Sequence, residues 1–507
     1  MFDINNFEDD NVWDLICEGR TKGVFQLESQ LGRSWAKKVR PKQMSELAAL
    51  ISLIRPGCLK AVTDGKSMTQ HYCDRKSNKD PVTYPDESLE DILSETYGVL
   101  VYQEQSMKIA QKLADFDLKE ADALRKAIGK KKAGLMEEVK TKFLSGAKEV
   151  GLVTTEVAEE IFSWIEKSNR YAFNKSHAVS YAINAYWSAY CKYYKTVPFY
   201  VSYLNHSDRK PDSQKEMKEL IVDAKFSDIE VYPPRLKHLY TNFTHKGDNI
   251  YFGINYIKNV GRKECEKIEE ISSQADISVY NWMDVLTKVI HKGRLNKRAV
   301  IALISVGAFT GENNTRDREE MLYEFDSWKD LTAREQEYIV NIGEYNKDAT
   351  LSDHIGDMIN NVKINSRRLT TVLDIKKILD HPPHDLKDNI PLIAQNEEKY
   401  LSCALTCNKT DGFDINFSSS LCKDIAKGTI TGKVKLAVQT KRGKNPGQLM
   451  AFLSIEDGTG SLDSVTIFPE AYEKYKDLLI ERNTVLIDGE ISKKENTSVI
   501  VNKVSQI

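Results

Sequence analysis

Tyr171-Ala-Phe-Asn-Lys-Ser-His177 is the stretch from which the N-terminal part of the chain can be read. Upstream, Thr155 can cap a helix carrying Val157, Ile161, Phe162, Trp164 and Ile165 near helical spacing. Downstream, Ala178, Tyr181, Ala182, Ala185, Tyr186 and Ala189 repeat the pattern until Pro198 stops it. The stretch is therefore a polar, cationic link between two helices, with Asn174 or Ser176 as N-cap of the second. Lys175 and His177 stand beside the N–H groups of the first turn, where the positive end of the helix dipole favours an anion such as phosphate. A well-capped helix start with a solvated lysine fits the same residues.

A second cationic run lies upstream. Asp117 and Glu120 have capping-box spacing before a helix with Leu118, Ala121, Leu124 and Ile128 on one side. Arg125 and Lys126 are expected on its last turn, Gly129 is expected to end it, and Lys130-Lys-Lys132 follows. Cations suit a helix C-terminus, so a plain helix end and a phosphate clamp both account for the run 125–132. Neither cationic loop contains a Walker lysine motif or a GxGxxG fingerprint.

The 507 residues allow roughly three domains, at about 150 residues each. With 72 Lys and Arg against 74 Asp and Glu, the chain is no polycation, and nucleic-acid binding would need local basic surfaces. Eight cysteines without C-x-x-C spacing argue against zinc and for reduced thiols in a cytoplasmic protein. No signal peptide and no apolar run of membrane-spanning length is visible.

Further outward, Asn11 to Arg20 reads as a short helix, Gly23 to Glu28 as an alternating or buried segment, and Ser45 to Ile54 as a buried helix ended by Arg55-Pro-Gly57. Gly23-Val-Phe-Gln-Leu-Glu-Ser29, Arg55-Pro-Gly57, Tyr97-Gly98, Tyr102-Gln-Glu-Gln105, Leu124-Arg-Lys-Ala127, Gly129-Lys-Lys-Lys132 and Phe173-Asn-Lys-Ser-His-Ala178 occur in order. In this order and spacing the chain resembles the fingers of the bacterial replicative DNA polymerase III alpha subunit, the C family. The resemblance implies a nucleotide-triphosphate site at Arg125, Lys126, Lys130, Lys131, Asn174, Lys175, His177 and Arg55. Lys126 stands where the family usually has an arginine, a poorer planar fork for phosphate. Arg235-Leu-Lys237 stands where it commonly has Asp-Ile-Asn, and the segment from Cys58 to Cys73 is longer than its usual linker.

The rest follows the family order. Gly253-Ile-Asn-Tyr-Ile-Lys-Asn-Val-Gly261 resembles a helix-hairpin-helix turn that aims N–H groups at DNA phosphates, and Leu295 to Phe309 resembles its second copy. Lys258, Asn259, Gly261 and Lys297 are the expected contacts. The nearest sliding-clamp peptide is Gln336-Glu-Tyr-Ile-Val340, a poor match, and Tyr400 to Thr406 stands in for the family's Gly-His-Pro-Leu region. From Gly428 the apolar period becomes two, and strands, a helix over 471–479 and further strands describe an OB-fold. Lys441, Arg442 and Lys444, between its first two strands, would contact single-stranded DNA.

The expected fold is multidomain α+β. Mostly helical fingers (1–205) and a connector (206–240) lead to a tandem helix-hairpin-helix module (241–312), a helical linker (313–427) and a C-terminal β-barrel of OB type (428–507). The resemblance places the catalytic aspartates in a palm N-terminal to everything matched here. No catalytic or metal-binding residue is therefore assigned to this chain. Mg²⁺ is expected on a palm-bearing partner chain and the nucleotide. The expected partners are that chain, primer-template and single-stranded DNA, a deoxynucleoside triphosphate and a sliding clamp, with no membrane. The competing expectation is a non-catalytic DNA-binding replication accessory protein or a remnant. Val12, Trp13, Val24, Phe25 and Leu27 are expected to form an apolar surface awaiting the palm.

Overall fold

The computed structural model describes residues 6–130, 133–169, 172–346, 348–407, 411, 425–430, 435–438, 447–457, 460–480, 483–491 and 499–506. They form two compact units, Met1–Tyr203 and Leu204–Ile507.

The first unit is mostly helical. Its helices are α1 (Asp10–Cys17), α2 (Gln30–Val39), α3 (Met44–Leu53), α4 (Met68–Lys76), α5 (Gln103–Ala114), α6 (Leu118–Lys130), α7 (Ala133–Val150), α8 (Thr155–Asn169) and α9 (Lys175–Tyr194). Local chemistry sets their starts. Asp117 and Glu120 exchange N–H bonds of 3.0 and 2.8 Å before α6. The cap before α8 is Thr154, one residue earlier than expected, accepting from the Val157 N–H. The inserted segment after Arg55-Pro-Gly57 holds a short helix, Pro56–Lys60, and a hairpin pairing Val62–Thr63 with Lys66–Ser67.

Two apolar cores organise this unit. One gathers α1, α2 and α3 around the alanine-rich face of α9, with Trp13 4.9 Å from Tyr186. The small side chains Ala178, Ala182, Ala185 and Ala189 let α9 pack closely. This overturns the expected unpartnered surface. Val12, Trp13, Val24 and Leu27 are buried against α9, and Phe25 alone of the five is exposed, at 37 %. Gly23 to Glu28, read as alternating or buried, is a run of turns that buries Val24 and Leu27. Gly23 and Gln26 take left-handed φ values of 74° and 64°, and turn bonds run from Val24 to Thr21 and from Leu27 to Val24.

The second core joins α5, α6, α7 and α8. There α7 passes so close to the end of α5 that a Cβ on Gly146 would lie 2.3 Å from the Ala114 carbonyl oxygen. Gly146→Ala should therefore destabilise this unit by about 1–3 kcal/mol through forced backbone shifts, read as a lower melting temperature.

The second unit starts with α10 (Ser213–Lys225) and a small sheet of β1 (Val231–Tyr232), β2 (Thr244–Lys246) and β3 (Asn249–Tyr251), in the order β1-β3-β2. Then follow α11 (Arg262–Gln274), a helical stretch over 282–291, α12 (Lys297–Ser305), α13 (Arg318–Asp330), α14 (Ala333–Val340), α15 (Leu351–Asn361), α16 (Ser366–Asp380) and α17 (Ile390–Leu401). The C-terminal strands are β4 (Ile425–Ile430), β5 (Lys435–Val438), β6 (Leu449–Asp457), β7 (Gly460–Ile467), β8 (Thr484–Ile491) and β9 (Val499–Gln506), with α18 (Pro469–Tyr475) after β7. Their order is β4-β8-β9-β7-β6-β5, and β4 pairs with β6 as well as β8. Ala451, Leu453, Val465, Ile467, Val485 and Ile487 alternate inward to make its core.

Candidate nucleotide and nucleic-acid sites

The Phe173 to His177 segment is anchored to the start of α5. Phe173 donates to the Val101 carbonyl and accepts from the Gln103 N–H, both at 3.0 Å, in a parallel bridge with Tyr102. Gln105, buried, accepts from the Val101 and Tyr102 N–H groups at 3.0 and 2.9 Å and donates to Thr96 Oγ1 at 2.8 Å. Two stretches about seventy residues apart in sequence, Tyr102-Gln-Glu-Gln105 and Phe173 to His177, thus form one local structure.

Asn174 caps α9, its Oδ1 accepting from the His177 N–H at 2.9 Å. Glu104 accepts from Asn174 Nδ2 at 2.8 Å and from the Lys175 N–H at 2.9 Å. The first-turn N–H groups of Lys175 and His177 are therefore engaged by side chains, and they are not the open amide cradle expected of this loop. Cationic side chains supply what anion attraction remains. Lys175 Nζ lies 2.5 Å from Glu95, with both side chains more than a third exposed, and 5.7 Å from the Tyr102 ring centre. The Arg55 guanidinium stacks 3.7 Å from the Phe173 ring centre, and Phe173, His177 and Tyr181 continue the row at 5.4 and 4.2 Å. Arg55, Asn174, Lys175 and His177 are thus brought together. Glu95 and Glu104 are the members that charge-seeking motif reading misses, although Glu104 sits inside a quoted motif.

Arg125 and Lys126 are helical, as expected, but Gly129 does not end the helix. They lie within α6, both bound to Asp122, with Arg125 Nη2 at 2.8 Å and Lys126 Nζ at 2.6 Å. Those two cations, Lys126 first, hold the Asp122 carboxyl below its usual range. The helix continues to Lys130 because nothing in Leu124 to Gly129 breaks it, and one glycine near an end costs only about 1 kcal/mol. The Lys130 side chain, Lys131 and Lys132 lie outside the described residues.

In the second unit, the first hairpin turn exposes Lys258, Asn259 and Gly261 above the buried Ile257 and Val260. Asn259 is left-handed, φ 74°, and Gly261 starts α11. The element before this turn is only the short 3₁₀ segment Ile254–Tyr256. In the second hairpin Arg294 takes φ 49°, Asn296 caps α12 and Lys297 is exposed. Lys267 Nζ donates to the Arg294 carbonyl at 2.7 Å, tying α11 to the second turn.

Arg235 has a structural role. Its Nη1 donates to the Val306 and Gly307 carbonyls at 3.0 and 3.2 Å, and burial pushes its pKa down to about 10. In the stretch weighed as a clamp peptide, Ile339 and Val340 are buried in α14 and Gln336 donates to the Trp328 carbonyl at 2.8 Å. These residues serve the helical core of the second unit. Lys441, Arg442 and Lys444 lie outside the described residues. Among the described residues no group of three or more His, Cys, Asp or Glu is placed to hold a metal ion. None of their helices is long and apolar enough to cross a membrane.

Residues 2–151 match the bacterial DNA polymerase III alpha subunit finger domain, and residues 228–319 match a helix-hairpin-helix motif. More particularly, the chain is similar to the DNA polymerase III alpha subunit. It is 34 % identical to that of Aquifex aeolicus (strain VF5) over 99 % of its own length and 40 % of that protein. It is 29 % identical to those of Staphylococcus aureus strains Mu50 and COL, over 99 % of this chain and 43 % of theirs. The chain spans about two fifths of the length of these relatives.

Proposed function

We propose that this chain is the fingers and DNA-binding portion of a replicative DNA polymerase, taking up the triphosphate of the incoming nucleotide and holding primer-template. The observation that carries this reading is the junction of Tyr102 to Gln105 with Phe173 to His177. It sets Lys175, His177 and Arg55 in one place within a unit whose residues 2–151 match polymerase fingers. A phosphate can take Lys175 from Glu95 at little cost, because an exposed ion pair is worth only about 0–1 kcal/mol. Leu124 and Ala127 of α6 share a core with Ile109, Ala110 and Leu113 of α5, and we assign Arg125 and Lys126 to the same triphosphate as Lys175. The phosphates would then meet point charges from two helices, with Asn174 as the orienting hydrogen-bonding group.

Transfer of the nucleotide needs Mg²⁺ held by carboxylates. We assign that metal to palm carboxylates supplied from elsewhere and to the nucleotide. No catalytic step is assigned to this chain.

In the second unit the exposed hairpin turns would bind duplex phosphates without reading sequence. We read the C-terminal sheet as OB-type, since β4 pairs with both β8 and β6, and assign single-strand contacts to its β5–β6 connection. Titration of labelled primer-template at two ionic strengths tests this. Affinity should fall steeply with salt, and Lys258→Ala and Lys297→Ala should each lower the slope by about one. Salt-insensitive binding, or none at low salt, would contradict it.

A further inference from the structure

The small sheet β1-β3-β2 carries an aromatic face that the DNA contacts above do not use. The register pairs Tyr232 of β1 with Tyr251 of β3, and their rings stack at 5.7 Å with 27° between planes. His238 lies 4.3 Å from Tyr251 and 5.9 Å from Tyr240, nearly parallel to the latter at 30°. Tyr232 is 39 % exposed, and the other three rings are half-buried. Rings in that state are held in place by their neighbours yet still offer a surface.

Charge accompanies the rings. Lys246 Nζ lies 5.5 Å from the Tyr240 ring centre and is exposed, and Lys237 is exposed, with only a surface contact to Glu312 at 3.4 Å. Burial, then Lys246 and Lys237, lower the His238 pKa below its ordinary value, so near neutral pH its imidazole is an uncharged ring among the tyrosines. Flat rings flanked by lysines suit a ligand that alternates flat apolar groups with negative charges. A single strand of nucleic acid has that alternation, its bases stacking on tyrosine or histidine and its phosphates meeting lysine. The sheet ends at Tyr251, two residues before the first hairpin segment begins at Gly253. A strand leaving a duplex held by that hairpin would pass beside it.

We propose that Tyr232, His238, Tyr240 and Tyr251, with Lys237 and Lys246, form a stacking subsite for the bases of single-stranded DNA. The inference rests on the reading of the second unit as DNA-binding. The test uses the whole chain with oligo(dT) carrying 5-iodouracil, photo-crosslinked and mapped by mass spectrometry, alongside anisotropy titrations of oligo(dT) and of duplex. Cross-links should fall on peptides containing residues 232–251. Tyr232→Ala should weaken oligo(dT) binding about tenfold with its salt slope unchanged, while Tyr232→Phe, which keeps the ring, stays near wild type. Lys246→Ala should lower the single-strand slope by about 0.7. A melting curve for each variant separates lost contact from lost fold, and the wild-type cross-link position decides the case if Tyr232→Ala unfolds. Wild-type oligo(dT) affinity in a folded Tyr232→Ala, or cross-links confined to other segments, overturns the subsite even if duplex still binds. Loss of duplex and single-strand binding by the wild-type chain would instead remove the underlying DNA-binding reading.

Discussion

Lys175→Ala should reduce kcat/KM for the incoming nucleotide by about ten- to a hundredfold in a polymerase that contains this chain, with primer-template affinity nearly unchanged. The magnitude follows from losing one charge-assisted phosphate contact, about 1.5–3 kcal/mol. Lys175 stands at the first turn of α9, its side-chain ammonium pairing with the exposed Glu95, and its truncation leaves the cap at Asn174 intact. Arg125→Ala should act in the same direction, since its partner Asp122 also holds Lys126. Single-turnover kinetics over a range of nucleotide concentrations, with anisotropy for DNA, reads both quantities. If either variant instead loses primer-template affinity and keeps its nucleotide kinetics, that residue lines the DNA path and the triphosphate assignment fails.

Glu397→Ala should destabilise the second unit by about 3–5 kcal/mol, roughly 6–20 °C in melting temperature. Glu397 is fully buried at the C-terminal half of α17. It accepts from Arg318 at 3.3–3.4 Å, from the Leu405 and Thr406 N–H groups at 2.7 and 2.8 Å, and from Thr406 Oγ1 at 2.5 Å. Truncation leaves the buried Arg318 with Asp388 alone as its carboxylate partner, at 3.6 Å, and strips two partly buried N–H groups of their acceptor. The same Thr406 accepts from Arg235, whose other bonds hold the Val306–Gly307 turn after α12. The effect should therefore reach the second hairpin, and duplex affinity should fall with stability. Glu397→Gln, which keeps an acceptor, should lose less. A melting temperature for Glu397→Ala within about 2 °C of wild type would show that the network is not needed.

What could be read from the chain followed from how local each signal is. The caps at Asp117–Glu120 and Asn174 are written in three or four adjacent residues, and the structure uses them. The buried helix expected at Ser45 to Ile54 appears as Met44–Leu53, because an unbroken apolar run has few other ways to bury itself. Non-local pairings were hidden. Val12, Trp13, Val24 and Leu27 look unpartnered in sequence because their partner, the alanine face of α9, lies some 150 residues away. An alanine stripe carries no strong apolar signal of its own.

The candidate nucleotide site was half visible. Its cations sit in short motifs, whereas Glu95 and Glu104, which set where Lys175 and Asn174 point, act across about seventy residues or more. Arg125 and Lys126 are helical as their spacing predicts, but Gly129 does not stop the helix, because the apolar face of α6, with Leu124 and Ala127 in the core, carries it through. Arg235-Leu-Lys237, a departure from the expected Asp-Ile-Asn, proves to be compensated. Arg235 is satisfied by carbonyls and by Thr406, near Glu397 and Asp388. The last strand, Val499–Gln506, was not singled out, although it pairs with both β7 and β8.

The central claim is that this chain supplies nucleotide and DNA binding while the metal-holding carboxylates come from a palm. Primer extension measured with this chain alone, and again with a palm-bearing polymerase chain added, tests it most directly. The account predicts no extension by the chain alone, a stable complex on mixing, and Mg²⁺-dependent extension that disappears when the palm aspartates are replaced. Extension by this chain purified alone would contradict it, as would failure to associate with any palm-bearing chain of the same genome, which would favour a DNA-binding protein without a part in catalysis.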